Sequence, residues 1–238
     1  MRVRNFHFLI RLTICCAPLL AGLAQETNGK TSMKPVGRSK LCVTEGEVEQ
    51  REDNRLSVAV PKMRAIVTGP TLQEVEAHFT YLGPTKKSSP LASGELRRQF
   101  GLKLRAQDGC NLVYAMWRIE PKTELVVSVK SNPGMTQSSE CDAHGYRNIK
   151  PTQASTVPEV KRGHRYTLRA IIDGTRMRVY ANNIQVWEGD LGADAKGING
   201  PVGVRTDNGR FDFELFAAEP QPGQQGASAS CKKGSGEE

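Results

Sequence analysis

Beyond residue 24 the chain has no apolar run approaching the ~20 residues that a membrane-crossing helix needs, so the remainder is expected to be soluble. It has no CxxC and no Cys/His spacing of the kind that holds zinc. It has no GxSxG nucleophile elbow, and its four histidines, His7, His78, His144 and His164, are scattered. It carries no internal repeat. The formal net charge of +8 is a modest surplus. With the secretion argued next, it speaks against a nucleic-acid partner.

What is present begins with a leader. Arg2, Arg4 and Arg11 precede a 13-residue apolar stretch, Leu12 to Ala24, that finishes on the small residues Gly22 and Ala24. A charged region, a short apolar core and a small-residue cleavage site make a secretory signal peptide, and the apolar core is too short for an anchor. Lipidation at Cys15 or Cys16 is disfavoured by the Thr13-Ile14 pair that precedes them. Cleavage is expected after Ala24, with a secreted or periplasmic product. It removes three of the 33 basic residues and none of the 25 acidic ones, leaving a net charge of +5.

Two flanks read as disordered. Residues 25–40 are rich in Thr, Ser, Gly and Lys, and residues 219–238 run EPQPGQQGASASCKKGSGEE; neither has the apolar content to offset the entropy of ordering. One domain is expected between them, residues 41–218.

The C-terminal third is the most regular part of that domain. Tyr166, Leu168, Ala170 and Ile172 alternate with polar residues, Asp173-Gly174 supplies a tight turn, and Met177, Val179 and Ala181 repeat the alternation. Asn182-Asn183 turns the chain again into Ile184, Val186 and Trp187. The meander is then followed by a glycine-led return, GPVGVRTDNGRFDFELF, Gly200 to Phe216. This stretch resembles the closing strands of the concanavalin A-like, laminin G and glucanase type, β-sandwich superfamily. The likeness is tight over about fifty residues and looser back to Leu56. It implies an all-β fold, a two-sheet antiparallel β-sandwich of the jelly-roll kind.

Upstream, alternation gives strands at Glu74 to Leu82, Gln99 to Gln107, Leu112 to Ile119 and Leu125 to Ser131. One parity is apolar in each: Val75, Ala77, Phe79 and Tyr81; Phe100, Leu102 and Leu104; Val113, Ala115, Trp117 and Ile119; Leu125, Val127 and Val129. These predict the inter-sheet core. If the strands are neighbours, the other parity places His78, Lys103, Arg105, Tyr114, Arg118 and Lys130 on one sheet face. The plainer reading is a solvated polar face, which a half-exposed antiparallel sheet has in any case.

The resemblance implies a glycan partner on such a face. Its cations suit acidic polysaccharides, because guanidinium donors match a carboxylate. A polysaccharide lyase of this fold would use Tyr114 and His78 as base and acid and Arg118 to neutralise the uronate. The chain lacks the Gln-[Ile/Val]-His strand and the Tyr-Phe-Lys-Ala-Gly segment of alginate lyases. A retaining glycosidase needs two carboxylates about 5 Å apart, and Glu74 and Glu76 lack a third acid beside them. A binding module is therefore preferred to an enzyme, and a non-catalytic envelope or protein-interaction module is the remaining alternative.

The polar loop from Asn132 to Pro151 contributes His144, Tyr146 and Arg147 as candidate ligand contacts, forming one wall of a groove. Four cysteines follow residue 24, and three pairings are open. A hairpin turning near Pro121-Lys122 brings Cys110 and Cys141 to one edge, which favours that bridge and leaves Cys42 with Cys231; a free Cys231 thiol is the alternative. No cofactor is expected beyond a structural Ca²⁺ of the kind the superfamily often holds, for which Asp190, Asp207, Asn208 and Asp212 are the candidate ligands. The turn reading of Asp207-Asn208-Gly209 is preferred.

Overall fold

The period-2 alternation becomes sixteen strands, paired antiparallel throughout, in a computed structural model that describes Met1 and residues 32–231. The expected leader's Arg2 to Ala24, most of the expected linker, and residues 232–238 lie outside the described residues.

Two sheets pack face to face. With strands numbered in chain order, the seven-stranded sheet runs β10 (Tyr146–Asn148), β9 (Glu124–Lys130), β8 (Leu112–Glu120), β7 (Arg98–Leu104), β15 (Gly203–Asp207), β5 (Lys62–Val67) and β2 (Leu41–Glu45). The nine-stranded sheet runs β11 (Gln153–Ala154), β14 (Ile184–Asp190), β13 (Arg176–Ala181), β12 (Arg165–Asp173), β6 (Glu74–Pro84), β16 (Gly209–Ala218), β4 (Leu56–Val58) and β3 (Glu49–Gln50), with β1 (Met33–Pro35) also paired to β16. The fold is an antiparallel β-sandwich.

The apolar parities expected of the core meet between the sheets, all of them buried except Leu125, which packs against the cluster partly buried. Phe79 on β6 stacks on Phe100 of β7 at 4.3 Å between ring centres and meets Trp117 of β8 edge-on at 5.7 Å. These rings join the two layers at their middle, where aromatic pairs add to the stabilisation from burial alone.

The turns follow local chemistry. Asn182 and Asn183, at φ 50° and 66°, form the two-residue loop between β13 and β14, as a type I′ hairpin requires. The preceding hairpin loop is Gly174-Thr175 rather than Asp173-Gly174, because Asp173 pairs with Arg176 inside the ladder. The meander ends at Asp190. Its expected continuation divides, with β15 entering one sheet and β16 the other, and Asn208 at φ 53° making the crossing. Asparagine tolerates that left-handed conformation better than most residues.

Three further expectations are corrected. The strand Glu74 to Leu82 belongs to the nine-stranded sheet, so it is not a neighbour of β7, β8 and β9. Residues 33–35 form a strand on β16, placing part of the expected linker inside the domain. On the other flank Thr71 and Ala227 exchange two backbone hydrogen bonds at 2.9 Å, and Cys231 is bonded to Cys42, so the domain reaches at least residue 231. Both favoured disulfides, Cys42–Cys231 and Cys110–Cys141, are formed.

Candidate functional site

The outer face of the seven-stranded sheet carries a walled groove of about 1820 Å³. Register decides its floor. Lys103 lies opposite Tyr114 on one side and Gly203 on the other, and Tyr114 lies opposite Ser128. Arg205 lies opposite both Gly101 and Arg64, while Asp207 is opposite Gln99. The floor thus combines β5, β15, β7, β8, β9 and β10. A Cβ at Gly101 would fall 2.3 Å from Met116 Sδ, so only glycine lets that thioether lie over the strand.

The walls are loops. Glu45 to Glu49 and Leu91 to Glu95 contribute lining residues, as do Ala106 to Gly109, the Thr136 to Ser139 turn with Asp142 and Ala143, and Ser230-Cys231. The Cys110–Cys141 bridge fastens the short helix Ser138–Cys141 beside Gly109, and Cys42–Cys231 fastens the C-terminal segment to β2.

Beneath the floor Asp207 is fully buried. It accepts from Arg205 Nε at 2.9 Å, Arg64 Nη2 at 2.6 Å and Gln99 Nε2 at 2.6 Å. Burial pushes its pKa up, but the charges of Arg205 and Arg64 and the Gln99 amide pull it down to about 2. Burial likewise weighs against the Arg205 cation, and Asp207 with the two tyrosines overcomes it, leaving Arg205 more firmly protonated than an ordinary arginine.

Arg205 also lies 4.8 Å from the ring centre of Tyr114 and reaches the Tyr146 hydroxyl at 3.4 Å. The Tyr114 and Tyr146 rings stack at 6.1 Å and 19°, Tyr114 buried and Tyr146 41% exposed. Burial pushes the Tyr114 hydroxyl well up. For Tyr146 the upward pull of burial is outweighed by Arg205 and Lys130, so its hydroxyl sits below the usual tyrosine value. Lys130 points its ammonium at the Tyr146 ring from 5.0 Å. Lys103 is 4% exposed, and burial, reinforced by the charges of Arg64 and Arg205, lowers its pKa to about 7.

Of the residues expected at a site, Lys103, Tyr114, Arg118, Lys130 and Tyr146 share this groove. Arg118 lines its far end and is paired with Glu124. The others are elsewhere. Arg105, at φ 46°, turns away and donates to the carbonyls of Gly174 and Ala195. His144 is exposed on the loop beyond the lining residues, and Arg147, of opposite parity to Tyr146, bonds the Leu191 carbonyl and Asp194. His78 projects from the other sheet, against Glu76 at 2.5 Å, Arg165 and Phe216. The Tyr114, His78 and Arg118 set therefore straddles the sandwich, whose packed sheets are ~10 Å apart. It does not form one site.

The suggested calcium ligands also fail to converge. Asp207 serves Arg205 and Arg64, Asn208 bonds Ser89 and Arg97, Asp212 pairs with Arg51 and Ser57, and Asp190 bonds Gly192 and Thr175. No group of three or more candidate metal ligands occurs among the described residues.

Sequence reasoning passed over Arg64, Gln99, Arg205 and Asp207 as members of the floor. Their signal was the same parity rule: Met63, Ala65 and Val67 point inward, so Arg64 points out, and Gly203, Arg205 and Asp207 oppose the inward Val204 and Thr206.

No protein-family model matches the chain, and no curated protein matches it in sequence. Solved structures do resemble it in fold. A carbohydrate-binding module, CBM66, from Bacillus subtilis superposes with a TM-score of 0.52 at 12% identity, over 73% of this chain and 91% of that one. The galectin LEC-6 of Caenorhabditis elegans gives 0.41 at 9% identity over 70% and 97%, and domain 4 of an extracellular arabinanase from Geobacillus stearothermophilus gives 0.40 at 8% over 77% and 85%. At these identities the likeness concerns the fold.

Proposed function

We propose that the protein is a secreted, concanavalin A-like carbohydrate-binding module that takes an acidic polysaccharide into the groove of its seven-stranded sheet. The observation that carries this reading is the exposed Tyr146 ring laid on the buried Tyr114 and flanked by Lys130 and Arg205. An aromatic face offers a sugar ring an apolar platform at low conformational cost. The neighbouring cations suit carboxylate or sulfate substituents. The fold likeness to a carbohydrate-binding module agrees with this reading. The two disulfides agree with an oxidising compartment.

The reading is of binding without catalysis, because the base and acid named for a lyase lie on opposite faces of the sandwich. The test is a glycan array probed with the protein lacking residues 1–24, followed by calorimetry on the hits. Retention of acidic polysaccharides, lost in Tyr146→Ala, is the expected result. Flat binding across all glycans would instead favour a protein-interaction module.

A further inference from the structure

The groove floor holds more positive charge than its own residues neutralise. Arg64, Lys103, Lys130 and Arg205 share one buried carboxylate, Asp207, whose oxygens are already taken by the two arginines and Gln99. Glu45 approaches Arg64 Nε only at 3.7 Å, with its side chain 47% exposed. Lys130 has the Gly109 carbonyl at 3.3 Å and the Tyr146 ring. Lys103 makes no hydrogen bond and no ion pair with any of the described residues, although it is almost wholly buried and lines the groove. Its neighbour on β15 is Gly203, which offers no side chain to cover it.

A buried ammonium without a counter-charge costs several kcal/mol, so such a group is paired, binds something that pairs it, or gives up its proton more readily, as Lys103 does. Lys103 on β7, Lys130 on β9 and Arg205 on β15 all line this groove.

We propose that the floor at Lys103 is a seat for one compact oxyanion, a carboxylate or sulfate group carried by the ligand and held by Lys103 with Arg205 and Lys130 beside it. The glycan reading supplies only the bearer of that group; the seat itself would also take a free inorganic anion. Binding is then linked to protonation. The groups that line the groove with Lys103 are Arg64, Arg205, Tyr114, Lys130, Tyr146, Glu45 and Asp108, and burial, reinforced by Arg64 and Arg205, holds it near the neutral range. An incoming anion favours the ammonium form, so above neutral pH the complex takes up a proton and affinity falls as pH rises.

The experiment is calorimetry and thermal shift on the protein with inorganic sulfate, glucuronate and glucose at constant ionic strength, at about pH 6 and about pH 9. Sulfate and glucuronate should bind tenfold or more weakly at the higher pH, and glucose should show no such dependence. Lys103→Met should lose the anion, while Arg178→Gln, on the other sheet, should keep it. Amine acylation of the wild type, read by peptide mass spectrometry, covers the case in which Lys103→Met fails to fold: sulfate should protect Lys103 and leave the exposed Lys86 unprotected. Equal sulfate affinity at both pH values, or no protection of Lys103, overturns the seat. A flat glycan array alongside Lys103-dependent sulfate binding upholds the seat and overturns the glycan reading; acidic glycan hits without sulfate binding do the reverse.

Discussion

Arg205 donates through Nε to Asp207 Oδ2 at 2.9 Å, an ion pair formed two residues apart on one strand and buried under the groove. Breaking it from the acid side leaves Arg205 and Arg64 both without their carboxylate. Asp207→Asn should therefore destabilise the fold by about 3–5 kcal/mol, the cost of stranding buried charge, read by chemical denaturation. The wild type should show the matching pH signature. The folded carboxyl, at about 2, lies below its ordinary 3.8, so its contribution is present above the higher value and is lost as pH falls through the lower. A Tm flat between those values would contradict this.

Lys103 carries the opposite sign. Its folded pKa of about 7 lies below the ordinary 10.5, so the unfolded chain binds more protons between those values and stability from this group rises with pH across that window. The slope is at most about 1.4 kcal/mol per pH unit. Lys103→Met should abolish that slope and be more stable than wild type at neutral pH and below. Urea denaturation of both proteins across the window measures it.

Phe79 touches rings of both sheets and is 1% exposed. Phe79→Ala should cost about 3–5 kcal/mol through lost burial and the cavity left behind. The loss should appear as a lowered denaturation midpoint, and groove binding should persist in whatever fraction remains folded.

Cys42–Cys231 closes a loop with a sequence separation of 189, and Cys110–Cys141 one of 31. Constraint of the unfolded chain grows slowly with loop length, to ~5 kcal/mol for long loops. Replacing Cys42 and Cys231 by Ser should lower Tm and make residues 219–231 the first site of proteolysis. If the intact form is no more resistant there, the bridge is not what fastens that segment.

The core was legible because it depends on parity alone: Val75 to Tyr81, Phe100 to Leu104 and Val113 to Ile119 needed no knowledge of neighbours. The face was half legible for the same reason. Lys103, Tyr114, Arg118 and Lys130 come from three strands consecutive along the chain and joined side by side, so parity and adjacency coincide. His78 has the right parity in the wrong sheet. Arg205 has the right parity on β15, which enters between β7 and β5 from about 100 residues away, and Arg64 on β5 joins the face only through β15; pairing across that separation leaves no local trace. Arg105 failed through one backbone angle, since its positive φ ends the alternation just where the sequence continues it.

The crossing at Asn208 bears on the order in which the molecule assembles. β15 slots between β7 and β5, partners that precede it by about a hundred residues or more, and Asn208 then hands the chain directly to the opposite sheet. Until this late segment arrives, Lys103 faces an open strand edge and neither Arg205 nor Asp207 is in position. Pairings of such long range form slowly, so the groove floor is expected to be completed late in folding. In a refolding time course, sulfate protection of Lys103 from acylation should appear later than the β-sheet circular dichroism.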